Sequence, residues 1–143
     1  MIDHESIITR LDKLKEYVGY LKANQDVSLT KLKKDYILQG AVCRYFQLAI
    51  ECVTDIAELL ISSLRLRKPK NAYEAIEILA ENKIIPARFS KRFAPISGFR
   101  NILVHEYLEI DLKKVHKHLK EDLKDFDFYA KCIAKYMKSK DIR

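Results

Sequence analysis

An all-α fold is predicted, an up-and-down bundle of four main helices plus a short one, and three observations predict it. Apolar residues recur at intervals of three and four along most of the chain. No stretch alternates apolar and polar residues as a half-buried strand would, and only three glycines and three prolines interrupt 143 residues. Hydrophobic content of 48% beside 33% charged residues is that of a globular chain. At this length one domain, residues 1–143, can bury a continuous core without disulfides or metals.

The first helix starts near Ile7, where Ile7, Ile8, Leu11, Leu14, Val18 and Leu21 form one stripe, and ends near Asn24. Ser28 is a good N-cap for a second, longer helix, the central one, whose stripe is Val42, Phe46, Ala49, Val53, Ile56 and Leu60. It closes before Lys68-Pro69. Asn71 with Glu74 three residues later forms a capping-box pattern and opens a short helix through Ala75, Ile76 and Leu79, stopping near Asn82. Pro86 and Pro95 punctuate the next region. A residue before proline avoids the α region, so Ala94 marks a kink or break and a fresh helix starts from Pro95. Gly98 costs that helix roughly 1 kcal/mol, which signals a close backbone approach by another helix or chain. Asp111 caps the last helix, with the stripe Leu112, Val115, Leu119, Leu123, Phe126, Ala130 and Ile133. No repeat or low-complexity tract is present.

Lys and Arg number 27 against 20 Asp and Glu, a formal charge of +7 that biases the surface towards polyanions without specifying one. Taken alone, the runs Lys31 to Lys34 and Lys113 to Lys120 read as solvated helix faces. Three cysteines without metal-ligand spacing point to a reducing cytoplasm. Cys43 and Cys52, nine residues apart on one helix, are separated by roughly 13 Å of rise, too far for a disulfide. The longest apolar stretches are broken by Arg44, Asp55 and Glu58, so neither a signal peptide nor a membrane span is expected. His116 and His118 fall on opposite faces of the last helix and no His or Cys pair has helical ligand spacing, so no metal and no cofactor are expected.

Chemistry concentrates in Arg100-Asn101-Ile102-Leu103-Val104-His105-Glu106-Tyr107. A guanidinium can hold phosphate oxygens through paired donors, and an imidazole can move a proton near neutrality. In a regular helix Arg100 and His105 leave about 140° apart and roughly 7.5 Å along the axis. One phosphate is reached by both only if Arg100 swings round, the helix loosens near His105, or a second copy completes the site. A histidine in a last helical turn meets the negative end of the dipole, which favours the imidazolium and general-acid work. The plain alternatives are an imidazole that packs a helix end and, for Tyr107, a half-buried aromatic with a wet hydroxyl.

The run from Gly98 to Tyr107 resembles the signature of the HepT-like proteins of the HEPN superfamily, whose ribonucleases carry Arg, four to six residues, then His. The Asn after Arg and the Tyr two after His are shared. Gln39 to Leu60, with Ala49-Ile50-Glu51 and Asp55-Ile56-Ala57, and the proline-bearing linker extend the resemblance over most of the chain. The resemblance implies a HEPN-like bundle and a toxin of a two-gene toxin–antitoxin pair, of type II or VII, acting as a metal-independent endoribonuclease on cellular RNA. It implies a homodimer whose paired Arg100 and His105 line a shared cleft, with Arg100 on the scissile phosphate, His105 transferring a proton and Asn101 positioning one of them. It further implies a minimal nucleotidyltransferase antitoxin, similar to the MntA proteins, that transfers AMP from ATP to Tyr107. Asp55, a buried-looking carboxylate on the central helix, is either an acid of the site or an ion-pair partner of Arg44. Two rival readings stand beside this one: a noncatalytic helical adapter binding RNA or a nucleotidyltransferase, and a nucleotide-binding subunit of a transferase complex.

Overall fold

The computed structural model describes residues 2–105, the side chain of His105 excepted, and residues 110–140. Among these, eight helices and no strands are found: α1 (His4–Ala23), α2 (Leu29–Lys34), α3 (Tyr36–Ser63), α4 (Ala72–Glu81), α5 (Ala87–Phe93), α6 (Ile96–His105), α7 (Leu112–Glu121) and α8 (Leu123–Lys140). The all-α expectation holds, and every predicted helix is present. The differences lie in how the chain is punctuated.

Ser28 does cap a helix, its Oγ accepting from the Lys31 amide at 3.0 Å, but that helix is the short α2. Asp35 then takes extended backbone (φ −95°, ψ 95°), and its carboxylate accepts from Leu38 N at 3.0 Å to start α3 afresh. A short acidic side chain that bonds its own backbone competes with helix propagation, which is why one predicted helix is two. Asp122 divides the predicted last helix into α7 and α8, at φ −110° and ψ 0°. The unpredicted α5 follows Pro86 and is held by Phe89 and Phe93, four residues apart, buried and stacked at 4.9 Å.

Other expectations meet a mixed outcome. Asn71 Oδ1 accepts from Glu74 N at 2.8 Å, while the Glu74 carboxylate reaches back to Lys70 N at 2.9 Å rather than to Asn71, a capping box displaced by one residue. Ala94 sits in the α region (φ −52°, ψ −34°), against the pre-proline rule, yet the break falls where predicted, with α5 ending at Phe93 and α6 starting at Ile96. A Cβ built on Gly98 meets nothing within 4 Å, so no element among the described residues makes the close approach. Cys43, Cys52 and Cys132 are free thiols, and burial pushes those of Cys43 and Cys52 up to about 11.

Helix α3 is the axle. It packs on α1, α4 and α6, with α1 also lying along α8 and α2 against α7. Arg10 of α1 lies near Asp55 and Tyr20 near Tyr45, so α1 and α3 run antiparallel. Val42, Phe46, Ala49, Val53, Ile56 and Leu60, the predicted stripe, are all buried. Phe46 meets Phe99 edge-on at 5.3 Å, and the buried Tyr129 donates its hydroxyl to Val53 O at 2.8 Å. These contacts clamp α6 and α8 onto α3 and so set where Arg100 projects.

Candidate active site

Helix α6 buries Ile96, Phe99 and Leu103 against the bundle, at intervals of three and four, and this turns Arg100 and Asn101 outward. Its backbone is helical through His105, so Arg100 and His105 keep their separation of about 140° in phase and 7.5 Å in rise. The described part of α6 reaches the His105 backbone, and the expectation that His105 closes the helix falls on residues outside the described ones. The His105 side chain and Tyr107 also lie outside the described residues.

Arg100 faces the exposed stripe of α3. Its Nη2 and Nε donate to one oxygen of Glu51, Oε2, at 2.8 and 3.2 Å, and Gln47 Nε2 donates to the same oxygen at 3.1 Å. Both side chains of this ion pair are about one-third exposed, at 34% each, so the guanidinium remains reachable from solvent. Burial raises the Glu51 carboxyl, but the hydrogen bonds from Gln47 and Arg100 and the charges of Arg100 and Arg44 outweigh it and hold the group below its ordinary value. Glu51 is therefore a carboxylate at neutral pH. By engaging Nε and Nη2 on one edge it orients the guanidinium, and Nη1, without a partner among the described residues, can meet an incoming anion.

Glu51 and Gln47 went unassigned in the sequence, although a signal exists. Arg44, Gln47 and Glu51 stand at intervals of three and four on the central helix, a polar stripe opposite its apolar one. Asp55 requires a correction. It is exposed rather than buried, and its partner is Arg10 at 3.7 Å, not Arg44. Eleven residues of helix place Arg44 and Asp55 roughly 16 Å apart along the axis, beyond the reach of an ion pair.

A cleft of about 910 Å³ opens between α3, the first turn of α4 and the start of α6, and Arg100, Asn101, Glu51 and Asp55 line it together with Tyr73 and Asn71. The structure thus brings Arg100, Asn101 and Asp55 to one cavity and leaves Arg44 outside it. His116 and His118 point to separate partners: His116 Nε2 meets Val27 O at 2.9 Å, and His118 Nδ1 meets Asp122 at 2.6 Å while its ring stacks on Phe99 at 4.1 Å. They brace α7 against the loop before α2 and against α6.

Comparison with known proteins places this architecture. The tri-AMPylated HEPN toxin of Shewanella oneidensis, solved in complex with MNT antitoxin, superposes with a TM-score of 0.82 at 27% identity, covering 94% of this chain and 99% of that one. The bundle is HEPN-like. Over 131 residues the chain is 31% identical to the tRNA nuclease HepT of Aphanizomenon flos-aquae, covering 92% of this chain and 89% of that protein. It is 30% identical over 104 residues to the mRNA nuclease HepT of Shewanella oneidensis, covering 73% and 78%. A family model described as ribonuclease HepT-like matches residues 7–133, and the chain belongs to that family.

Proposed function

We propose that this protein is a ribonuclease toxin that cuts cellular RNA without a metal ion, at a cleft completed by a second copy of the chain. The observation that carries the reading is Arg100, oriented by Glu51 on the rim of an open cleft within the family's Arg-Asn-x3-His run. In this reading the 2′-hydroxyl of the substrate attacks the adjacent phosphorus, the new O2′–P bond forms as the P–O5′ bond breaks, and a 2′,3′-cyclic phosphate and a 5′-hydroxyl result. Arg100 stabilises the charge that gathers on the phosphoryl oxygens. His105 takes the proton from the 2′-hydroxyl or delivers one to the leaving O5′, and Asn101 positions one of these groups. A second copy answers the phase difference between Arg100 and His105, because each subunit can lend one side chain to the other's phosphate.

The partner in this reading is a minimal nucleotidyltransferase antitoxin that transfers AMP to Tyr107. The AMPylated state and antitoxin complex of the Shewanella oneidensis toxin support it. An added phosphate and base beside the cleft would compete with RNA for Arg100 through charge and bulk.

One observation favours a noncatalytic adapter instead: Glu51 neutralises Arg100, as a purely structural ion pair would. The test is intact mass after co-expression with the neighbouring gene, then RNA cleavage by unmodified protein in excess EDTA, with His105→Ala as control. AMP mass on Tyr107 and chelator-resistant, His105-dependent cleavage are the expected results. A folded, unmodified protein that does not cut RNA would replace this reading by the adapter.

A further inference from the structure

We propose that the cleft beside Arg100 is a nucleotide subsite in which Tyr73 stacks on one unpaired base next to the scissile phosphate. The inference rests on the ribonuclease reading and names the class of RNA that the site accepts: a strand with at least one unpaired nucleotide at the cut.

Tyr73 stands 27 residues before Arg100 and on another helix, so nothing in the motif points to it. Helix α4 turns Ala75, Ile76, Ile78 and Leu79 into the core and leaves the ring of Tyr73, 40% exposed, on the wall of the cleft that Arg100 lines. A large aromatic ring in a concavity, outside the core, is the arrangement that single-stranded RNA sites use, because every base has a π face and stacking tolerates any sequence. The cleft volume of about 910 Å³ lies within the range of small-ligand sites, about 300–1,000 Å³.

The polar groups around the ring fit the rest of a nucleotide. Asn71 spends its Oδ1 on the Glu74 amide, so its side-chain nitrogen has no partner among the described residues and can donate to a base edge. Ala72 and Tyr73 occupy the first turn of α4, whose amides lack intrahelical acceptors and favour a phosphate oxygen nearby. Two carboxylates line the α3 wall, and both are paired, Glu51 with Arg100 and Asp55 with Arg10, so the wall does not repel a polyanion. A base held in a duplex cannot lay its face on Tyr73, which confines the subsite to loops, bulges and ends.

The test uses full-length His105→Ala protein, which binds without cutting, and a stem-loop RNA carrying 2-aminopurine at each loop position in turn. One position is expected to lose fluorescence on binding. Adding Tyr73→Ala should restore that fluorescence and weaken binding by about ten- to a hundredfold, the scale of one stacked base, while Tyr73→Phe and Tyr73→Trp retain both. If the alanine variant fails to fold, Tyr73→Leu, apolar but without a π face, makes the same comparison. Unchanged affinity and quenching in a folded Tyr73→Ala or Tyr73→Leu protein would overturn the subsite, and so would an equal loss in Tyr73→Phe. With His105 intact, cleavage that ignores Tyr73 sinks the subsite and leaves the ribonuclease reading standing. A parent that binds and quenches but never cuts does the reverse, and one that neither binds nor cuts sinks both.

Discussion

In the proposed ribonuclease Arg100 carries the most weight at the scale of single residues, and its partner Glu51 sets how it is presented. If Arg100 stabilises charge on the transferring phosphoryl group, Arg100→Ala should lower the cleavage rate by about 10²–10³, as removal of one preorganised donor does. Glu51→Gln preserves shape and an acceptor but removes the charge that orients the guanidinium. About a tenfold fall in kcat with KM little changed is expected, since the phosphate still finds Arg100 but in a looser geometry. Steady-state kinetics on a single RNA would decide, and a change confined to KM would assign Glu51 to binding instead. The same carboxylate has a pH signature. Because its folded pKa is depressed, its contribution to stability is full above the ordinary glutamate value, about 4.3, and is lost as pH falls through the lower folded value. The stability gap between parent and Glu51→Gln should therefore close as pH falls below the ordinary glutamate value, which acid titration of thermal unfolding would measure. Tyr129→Phe tests the clamp between α8 and α3. Losing the buried hydroxyl's bond to Val53 O should cost about 1 kcal/mol in denaturant unfolding with an unchanged slope. At this scale the sequence made Arg100 and Asn101 legible because the motif is contiguous. Glu51 escaped because its bond to Arg100 spans 49 residues, and spacing cannot reveal a partner on another helix.

The helices were legible in type and blurred in extent. Periodicity reports which face is buried, and the stripe of α3 was read correctly for that reason, whereas in α1 Ile7, Leu14, Val18 and Leu21 are buried but Ile8, about 100° away from Ile7 on the helix, is 50% exposed. It does not report a single residue interrupting a helix while the apolar stripe carries on, as Asp35 does with extended backbone and Asp122 does within the α region. The Asp35 carboxylate caps the start of α3, and the Asp122 carboxylate bonds back to His118 in the last turn of α7. A stripe can continue across such a break because tertiary packing restores its phase. Glycine placement gives the test at this scale. Gly40 and Gly98 are helical and a Cβ at either position meets nothing within 4 Å among the described residues, so Gly40→Ala and Gly98→Ala should each stabilise the isolated chain by up to about 1 kcal/mol. Gly98 lines the cleft and Gly40 does not. Should a second copy approach α6 closely, Gly98→Ala alone would also weaken self-association, measurable by sedimentation velocity across a concentration series.

For the whole molecule, the bundle's value is that it delivers residues 51, 73 and 100 to one cavity from three helices. A net charge of +7 attracts polyanions at long range, so if RNA is the substrate its affinity should fall steadily with salt, with a logarithmic slope of about −0.7 per phosphate contacted on a single strand. Titrations of a fluorescent oligonucleotide at several salt concentrations would measure the slope, and a flat line would remove phosphate contacts from the binding. The sequence by itself determined the all-α class, the buried faces and the Arg-Asn-x3-His run, because helical periodicity and a contiguous motif are local properties that a one-dimensional reading contains. Only the tertiary structure decided that Arg100 answers to Glu51, that Asp55 answers to Arg10, and that Tyr73 shares the cleft. Those pairings depend on how helices separated by tens of residues cross, and the crossing is set by the interlocking of buried side chains such as Phe46 and Phe99 rather than by spacing along any one helix.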